Sequence, residues 1–473
     1  MSEQTHSKIS CYICGKRFNS ISGSHVQSHG LSLAEYETLY GSQDQPYNQC
    51  SYAFENLSPL EDLTQYRCKL HAPDGSFCIL HDQDEKKDQA LFSRVFQGLL
   101  KLYKASDFEY RLQGILFPAE VNLNYLTFKK PVYLIGCRFQ GNVAMNVTFQ
   151  DAVDFRKCLF NQSAHFRFTK FLAAAYFNHA TFSDRADFQE AIFANTADFS
   201  NVTFEGMANF HLTRFAGRAA FLNSIFPQHP KKAVFVAARF DRPNLVHFGG
   251  VDLTRTFFQW VNLTNVGFVN VHWPVTSRFK GGRRYMADES NVSKPTMVGS
   301  NHSTSQKYGF VQALYKQLRM NYEARRNYSV AGDFYFGEME CYRKRNPYRR
   351  FLPSATNLYR LLSGYGQRHL RASVALILLL ATFAVLHLTF GLNPQANMDH
   401  ITTKLQGAEI KSLGPGVLAA TVYCAEVLLR EPEPERLFYP ASVSGEVLNV
   451  IFPILIYVQA TLLVLALRNR FRR

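Results

Sequence analysis

The chain has 473 residues, enough for about three domains at ~150 residues each, and 47% of them are hydrophobic, which excludes an intrinsically disordered chain. Lys and Arg number 52 against 37 Asp and Glu, a net charge of +15 that suits nucleic acid or the anionic inner face of a membrane. Met1 to Ile9 is polar, so no secretory signal is expected to open the chain, and the nine Cys fall mostly in metal-type spacings rather than in a dense disulfide framework, as a reducing cytoplasm favours.

The first element is a Cys/His head. Cys11 and Cys14 precede His25 and His29 in a C-x2-C-x10-H-x3-H spacing. A tight turn presents two thiolates and one helical turn two imidazoles, the tetrahedral set that zinc prefers. A segment of ~40 residues cannot bury a sufficient core alone, so metal would supply its folding energy. The run HGLSLAEYETLYG from His29 to Gly41 resembles the continuation of prokaryotic Ros/MucR-type zinc fingers, over residues 9 to 42. That resemblance implies a DNA-binding finger. The residues argue otherwise: between Phe18 and His29 there is no Lys or Arg, and the next helix, Leu33 to Tyr40, carries Glu35 and Glu37. Base edges and phosphates call for cations and amides, so a structural or protein-contacting finger is favoured over nucleic-acid binding. Residues 1–45 form this unit.

Residues 46–110 hold a second cluster: Cys68, His71, Cys78 and His81, with Cys50 upstream as an alternative ligand in place of His71. Neither cluster keeps an open position or a helical His-Glu-x-x-His, so two structural Zn2+ ions and no enzyme are expected. The text FCILHD around Cys78, with Lys87, Asp88 and Phe92 behind it, resembles the lead-in of bacterial pentapeptide-repeat membrane proteins. Residues 84–105 follow as a helix, with Leu91, Val95, Leu99 and Leu100 in a stripe that would cap the next domain.

That domain, residues 111–273, is a repeat. Phe149, Phe155, Phe160, Phe166, Phe171, Phe177, Phe182, Phe188, Phe193, Phe199, Phe204, Phe210, Phe215, Phe221 and Phe226 stand six and five apart in alternation, a true period of eleven. Ala164, Ala175, Ala186, Ala191, Ala197, Ala208 and Ala219 stand two before a Phe, and from Phe248 to Trp273 the spacing relaxes to five. One large apolar side chain per face points inward and a small residue fills the tighter position, so stacked coils place Phe over Phe, ~4.8 Å apart. The text ADFSNVTFEG resembles the Phe-rich branch of pentapeptide repeats. The resemblance implies a right-handed quadrilateral β-helix; the period implies 22 residues per coil rather than 20, with the extra residue taken up at alternate corners. From Val132 to Trp273 there are 13 Lys and Arg against 9 Asp and Glu, which does not suit an acidic DNA mimic. His165, His179, His211 and His247 are scattered, as surface residues of a solenoid would be.

Residues 274–306 break the composition and are expected to be a flexible linker. Residues 307–350 show helical periodicity with a turn at Asn327 and Tyr328; the text LYKQLRMNYE with DFYFGEME resembles the helical hairpin ahead of the membrane helices in the same family. Residues 351–473 form the membrane module. Ala372–Leu392 and Val447–Leu467 are 21 residues each without a charge, enough at 1.5 Å per residue to cross the ~30 Å bilayer core. Arg residues crowd before the first and after the second, while the loop 393–446 holds four Lys and Arg against seven Asp and Glu, so both termini are expected in the cytoplasm, and the resemblance to bacterial pentapeptide-repeat membrane proteins implies the inner membrane of a bacterium. Residues 413–429 are apolar enough to dip back as a re-entrant half-helix, the plan of tetrameric cation channels, and the ending QATLLVLALRNRFRR resembles channel-like pentapeptide-repeat proteins. No potassium-filter text follows; Glu426, Glu431, Glu433 and Glu435 would instead ring a pore entrance, or lie in an ordinary external loop. Two spans cannot enclose a pore, so conduction needs a homo-oligomer. The fold expected is thus multidomain: a small zinc-binding α+β head, a pentapeptide β-solenoid, a helical hairpin and two transmembrane helices. The function expected is a cytoplasmic sensor coupled to a pore, or a membrane-tethered scaffold that recruits protein or nucleic acid without one.

Overall fold

The computed structural model describes residues 9–14, 16–42, 48–54, 66–72, 76–228, 230–277, 282–292, 303–346, 354–394, 417–430 and 436–471. The chain divides into two compact units. One comprises Met1–Pro274 with Met286–Asn291, the other Val275–Tyr285 with Val292–Arg473.

In the first unit, Ile9–Ser10 pairs antiparallel with Arg17–Phe18, and two short helices follow: α1 (Gly23–Gln27) and α2 (Leu33–Tyr40). Ser32 and Glu35 close a capping box on α2, which satisfies its first free N–H groups. The helix expected over 84–105 runs as α3 (Gln89–Ala105), N-capped by Asp88, and buries Phe92, Val95, Phe96, Leu99 and Leu102. Close approach fixes the head on α3. Gly30, at φ +77°, leaves so little room that a Cβ would lie 2.4 Å from that of Ala105, and Gly98 faces Leu39. Glu35 forms an ion pair with Lys101; that contact, with the Ser32 N–H, holds its carboxyl down at about 2.

The repeat coils into a β-solenoid of about seven turns, whose two-residue strands stack into four parallel sheets. Val153 pairs with Ala175 and Ala175 with Ala197, giving the 22-residue coil that the Phe period implies. The extra residue has a clear location. Lys157, Phe168, His179, Glu190, Asn201, Leu212 and Asn223, eleven apart, all take left-handed φ between 54° and 61°. The corner that holds Lys157 has four residues between Val153–Asp154 and Leu159–Phe160, whereas the next, before Ala164–His165, has three, so alternate corners carry six-residue steps from strand to strand. Inside, rings stack in register. The ladder Phe155, Phe177, Phe199, Phe221 and Phe248 has centroids 4.8–5.2 Å apart and planes within 10°. Neighbouring ladders meet edge to face, as Phe177 meets Phe188 at 5.4 Å. All seven Ala singled out above are fully buried. Gly206 and Gly217 lie so close to the preceding coil that a Cβ would fall 2.1 Å and 2.4 Å from its backbone.

The segment 274–306 is not wholly a linker. Among its described residues, α4 (Ala287–Asn291) packs on the last coils and buries Asp288, whose carboxylate accepts from Phe258 N at 3.1 and 3.2 Å. Composition misses this, because one acidic residue that satisfies coil-edge N–H groups is enough to dock a polar stretch. Burial pushes the Asp288 carboxyl up to about 7, from an ordinary 3.8. The folded unit therefore holds a proton that the unfolded chain has lost. Its stability is expected to fall as pH rises from about 4 to about 7 and to level off above. Asp288→Asn should flatten that slope in urea titrations run across the pH range.

In the second unit, α5 (Thr304–Ala324) and α6 (Tyr328–Arg345) pack along each other, with Asn327 capping α6 at the expected turn. Then come α7 (Ala355–Ser363), α8 (His369–Phe390), α9 (Val417–Leu429) and α10 (Val443–Phe471). The two helices α8 and α10 are long and apolar enough to cross a membrane. Only 17% and 22% of their most apolar windows is buried, whereas a core helix of a water-soluble protein would bury most of its length. Pro453 sits inside α10, and Gln459 earns its place by donating to the Ala372 carbonyl at 2.8 Å.

Candidate metal centres and apolar helices

The first Cys/His set converges as its spacing implies. Cys11 N donates to Lys16 O at 2.8 Å, which closes the turn that carries Cys11 and Cys14. Ser22 caps α1 and sets His25, and His29 follows one turn on. Cys11 Sγ lies 3.8 Å from His29 Nε2, Cys14 Sγ 3.5 Å from His25 Nε2, and the two Nε2 atoms are 3.4 Å apart. Zinc bonds of ~2.3 Å to sulfur and ~2.0–2.1 Å to nitrogen make a tetrahedron with edges of roughly 3.3–3.8 Å. The donors thus fit such an ion. Burial is the main cause that depresses the His29 imidazole, which keeps a ring nitrogen free to ligate.

The second set differs from the one first expected. Cys50, Cys68, Cys78 and His81 come together and all four are buried. His71 lies outside the group: its backbone N donates to Leu39 O at 2.8 Å, its ring packs over Gly41, and Nδ1 accepts from Asn48 N. Cys50 takes its place because Cys50 N bonds to Leu70 O at 2.9 Å and Cys68 N to Tyr52 O at 3.0 Å. That antiparallel pairing sets Cys50 beside Cys68, whereas C-x2-H spacing alone cannot show which way His71 turns. Cys50 Sγ is 3.7 Å from His81 Nδ1, Cys68 Sγ 3.9 Å from Cys78 Sγ, and Cys78 Sγ 3.2 Å from His81 Nδ1, again near tetrahedral edges. Contacts with Cys68 and Cys78 hold the Cys50 thiol well below its ordinary range, and contacts with Cys50 and Cys78 hold Cys68 far above. Burial opposes charge on His81, but its contacts with Cys50 and Cys78 outweigh it and raise the ring to about 9.

Four residues around this set escaped the sequence reading: Tyr52, Gln113, Gly114 and Leu116. Gln113 O lies 3.0 Å from His81 Nε2 and fixes the ring so that Nδ1 faces the thiols. Tyr52 stacks on His81 at 4.0 Å, and Gly114, at φ +69°, clears the Tyr52 hydroxyl, where a Cβ would lie at 1.9 Å. Leu116 N donates to Leu80 O at 3.1 Å. The second set is therefore bolted to the first coil of the solenoid. No local signal marks Gln113, since its part is its backbone carbonyl. His71→Ala is expected to leave metal content at two ions per chain and Cys50→Ala to lower it by one, read by elemental analysis of purified protein. Equal losses in both would return His71 to the ligand set.

In the second unit, α9 packs between α8 and α10 through Phe383, Ala420, Tyr423, Val427 and Phe452. Asn449 donates to the Tyr423 hydroxyl at 2.6 Å, and Leu392–Pro394 pairs with Phe438–Pro440. Glu426 is buried and its carboxylate accepts from Leu437 N at 3.2 Å, so within one chain it ties the end of α9 to the approach of α10. Glu431, Glu433 and Glu435, the other acidic groups expected at a pore entrance, lie outside the described residues. At the opposite end, Glu340 of α6 is buried among Arg343, Arg360 and the Tyr365 hydroxyl, at 2.8–2.9 Å. Asp333 pairs with Arg284 and Arg368, each at 3.1 Å. Neither carboxylate was marked by its sequence context; a helical Glu or Asp reads as solvated until the fold surrounds it. The four solenoid His are dispersed, as expected. His165 and His211 are half-buried, and burial depresses the His211 ring.

Residues 155–201 and 188–227 match the family model of pentapeptide repeats in nine copies. The search of curated proteins and that of solved structures each gave no match to this chain.

Proposed function

We propose that this chain is a membrane-anchored interaction protein of bacterial type. Its zinc-organised head and pentapeptide solenoid, coiled right-handed around four faces, bind a partner in the cytoplasm. Its two spans assemble with those of other copies into an ion-conducting module. The observation that carries the reading is a short apolar helix, α9, wedged between two long helices whose apolar side chains face outward. Outward apolar surface of that extent suits lipid and sister subunits rather than water. The arginine-rich flanks of α8 and α10 support a cytoplasmic side for both termini. Zn2+ suits both Cys/His sets, since four soft or borderline donors at tetrahedral spacing with no open position describe a structural ion. No catalytic role is assigned.

A second reading, a tethered scaffold without a pore, is favoured by Glu426. Its carboxylate is already engaged by Leu437 N and is not presented to an ion path within one chain. The two readings part on one experiment. Purified full-length chain, sized in detergent and reconstituted in planar bilayers, is expected to form an oligomer that passes a cation-selective current. A monomer that stays silent would leave only the tether.

A further inference from the structure

The helix α7 lies just ahead of α8, and its two sides differ sharply. On one side Arg360 Nε lies 2.8 Å from the buried Glu340 carboxylate of α6. On the other, Leu358 and Leu361 are 56% and 68% exposed, at the i, i+3 spacing that forms one apolar stripe. A water-soluble surface helix would turn those two sides the other way round. The helix is also fixed in place. Gly364, Tyr365 and Gly366 all take left-handed φ, which ends α7 abruptly, and Gln459 of α10 donates both to Leu362 O at 3.2 Å and to Ala372 O at 2.8 Å. Exposed apolar residues resume at the start of α8 with Leu370, which is 72% exposed. Charge points to the occupant: from residue 354 to 371 there are three arginines and no carboxylate, and while Arg360 and Arg368 pair with Glu340 and Asp333 of α6, Arg371 bonds only to the Arg360 carbonyl among the described residues.

We infer that α7 is an interfacial helix. It lies in the headgroup layer of the leaflet at the N-terminal end of α8, with Leu358 and Leu361 at the acyl boundary and Arg371 near anionic lipid phosphates, while Arg360 and Arg368 stay on the carboxylates of α6. This rests on α8 being a membrane span. A helix seated in lipid on one side and holding Glu340 through Arg360 on the other fixes α6 to the leaflet surface. It gives the lipid composition a direct contact with the helices outside the bilayer.

The test places single tryptophans in the full-length chain, in vesicles of equal parts phosphatidylcholine and phosphatidylglycerol with brominated acyl chains. Emission is read as the difference from the unsubstituted protein. Ile377→Trp, in the middle of α8, reports on the span itself. Leu361→Trp and Leu358→Trp are expected to lose most of their added emission to bromines near the headgroup and little to bromines near the chain end, whereas Ile377→Trp shows the reverse. Quenching of Ile377→Trp with none at either α7 position would overturn the inference while leaving the span. In that case unquenched blue-shifted emission assigns the apolar side to a second copy of the chain, and red-shifted emission assigns it to water. If no position is quenched, the membrane reading itself fails.

Discussion

Removal of metal from the intact protein is expected to unfold the head while leaving most of the solenoid folded. The head is small: α1 and α2 together bury few large side chains, and the second set is held by short pairings around Cys50 and Cys68. A structural Zn2+ supplies about 10–16 kcal/mol in small metal-dependent domains, as much as the whole stability of an ordinary domain, about 5–15 kcal/mol. Without the ion, the buried set leaves three thiols and an imidazole packed against one another at 3.2–3.9 Å with no cation between them. A strong chelator should therefore expose the region N-terminal to α3 to protease, with cuts mapped by mass spectrometry between residues 1 and 82, while fragments spanning the Phe ladders persist. Because Gln113 and Leu116 join the second set to the first coil, the fragment that remains should also aggregate more readily than the holo protein. Unchanged protease resistance after chelation would show that the head folds on packing alone.

The second large effect lies in the ladders. Phe188 is fully buried, stacked on Phe166 at 4.9 Å and Phe210 at 5.1 Å, with Phe177 and Phe199 edge-on at 5.4 and 5.3 Å. Its truncation to Ala removes a ring from four neighbours that are held by backbone ladders and cannot collapse inward, so a loss of about 3–5 kcal/mol is expected. Phe168 is the control. It is 45% exposed at a left-handed corner, and Phe168→Ala should cost well under about 1 kcal/mol. Urea midpoints of the two variants, followed by β-sheet circular dichroism, read the difference directly. Similar midpoints would mean that the rings do not carry the coil.

The solenoid was legible because its physics is local and repeated. A Phe every five or six residues fixes strand, corner and inward face together, and even the surplus residue per coil could be read from the period, as Lys157 to Asn223 at the corners bear out. The apolar lengths of α8 and α10, and the pairing of Cys11 with Cys14 on one turn and of His25 with His29 one helical turn apart, were legible for the same reason: spacing within one element decides them. The exchange of His71 for Cys50 was not decided by spacing, because it depends on which strands pair across a gap of about twenty residues. Nor were the buried Asp288, Glu340 and Gln459, whose polar groups find partners far along the chain. A sequence shows a charged residue; only the fold shows the N–H group or guanidinium that makes its burial tolerable.

The most direct test of the central claim is the fate of the full-length chain when cell membranes are stripped with alkaline carbonate and urea and then floated on a density gradient. Two helices with outward apolar faces should keep the chain with the lipid, to be released by detergent alone. A chain that stays behind in the stripped supernatant would contradict the account, and α8 and α10 would then have to be covered by protein.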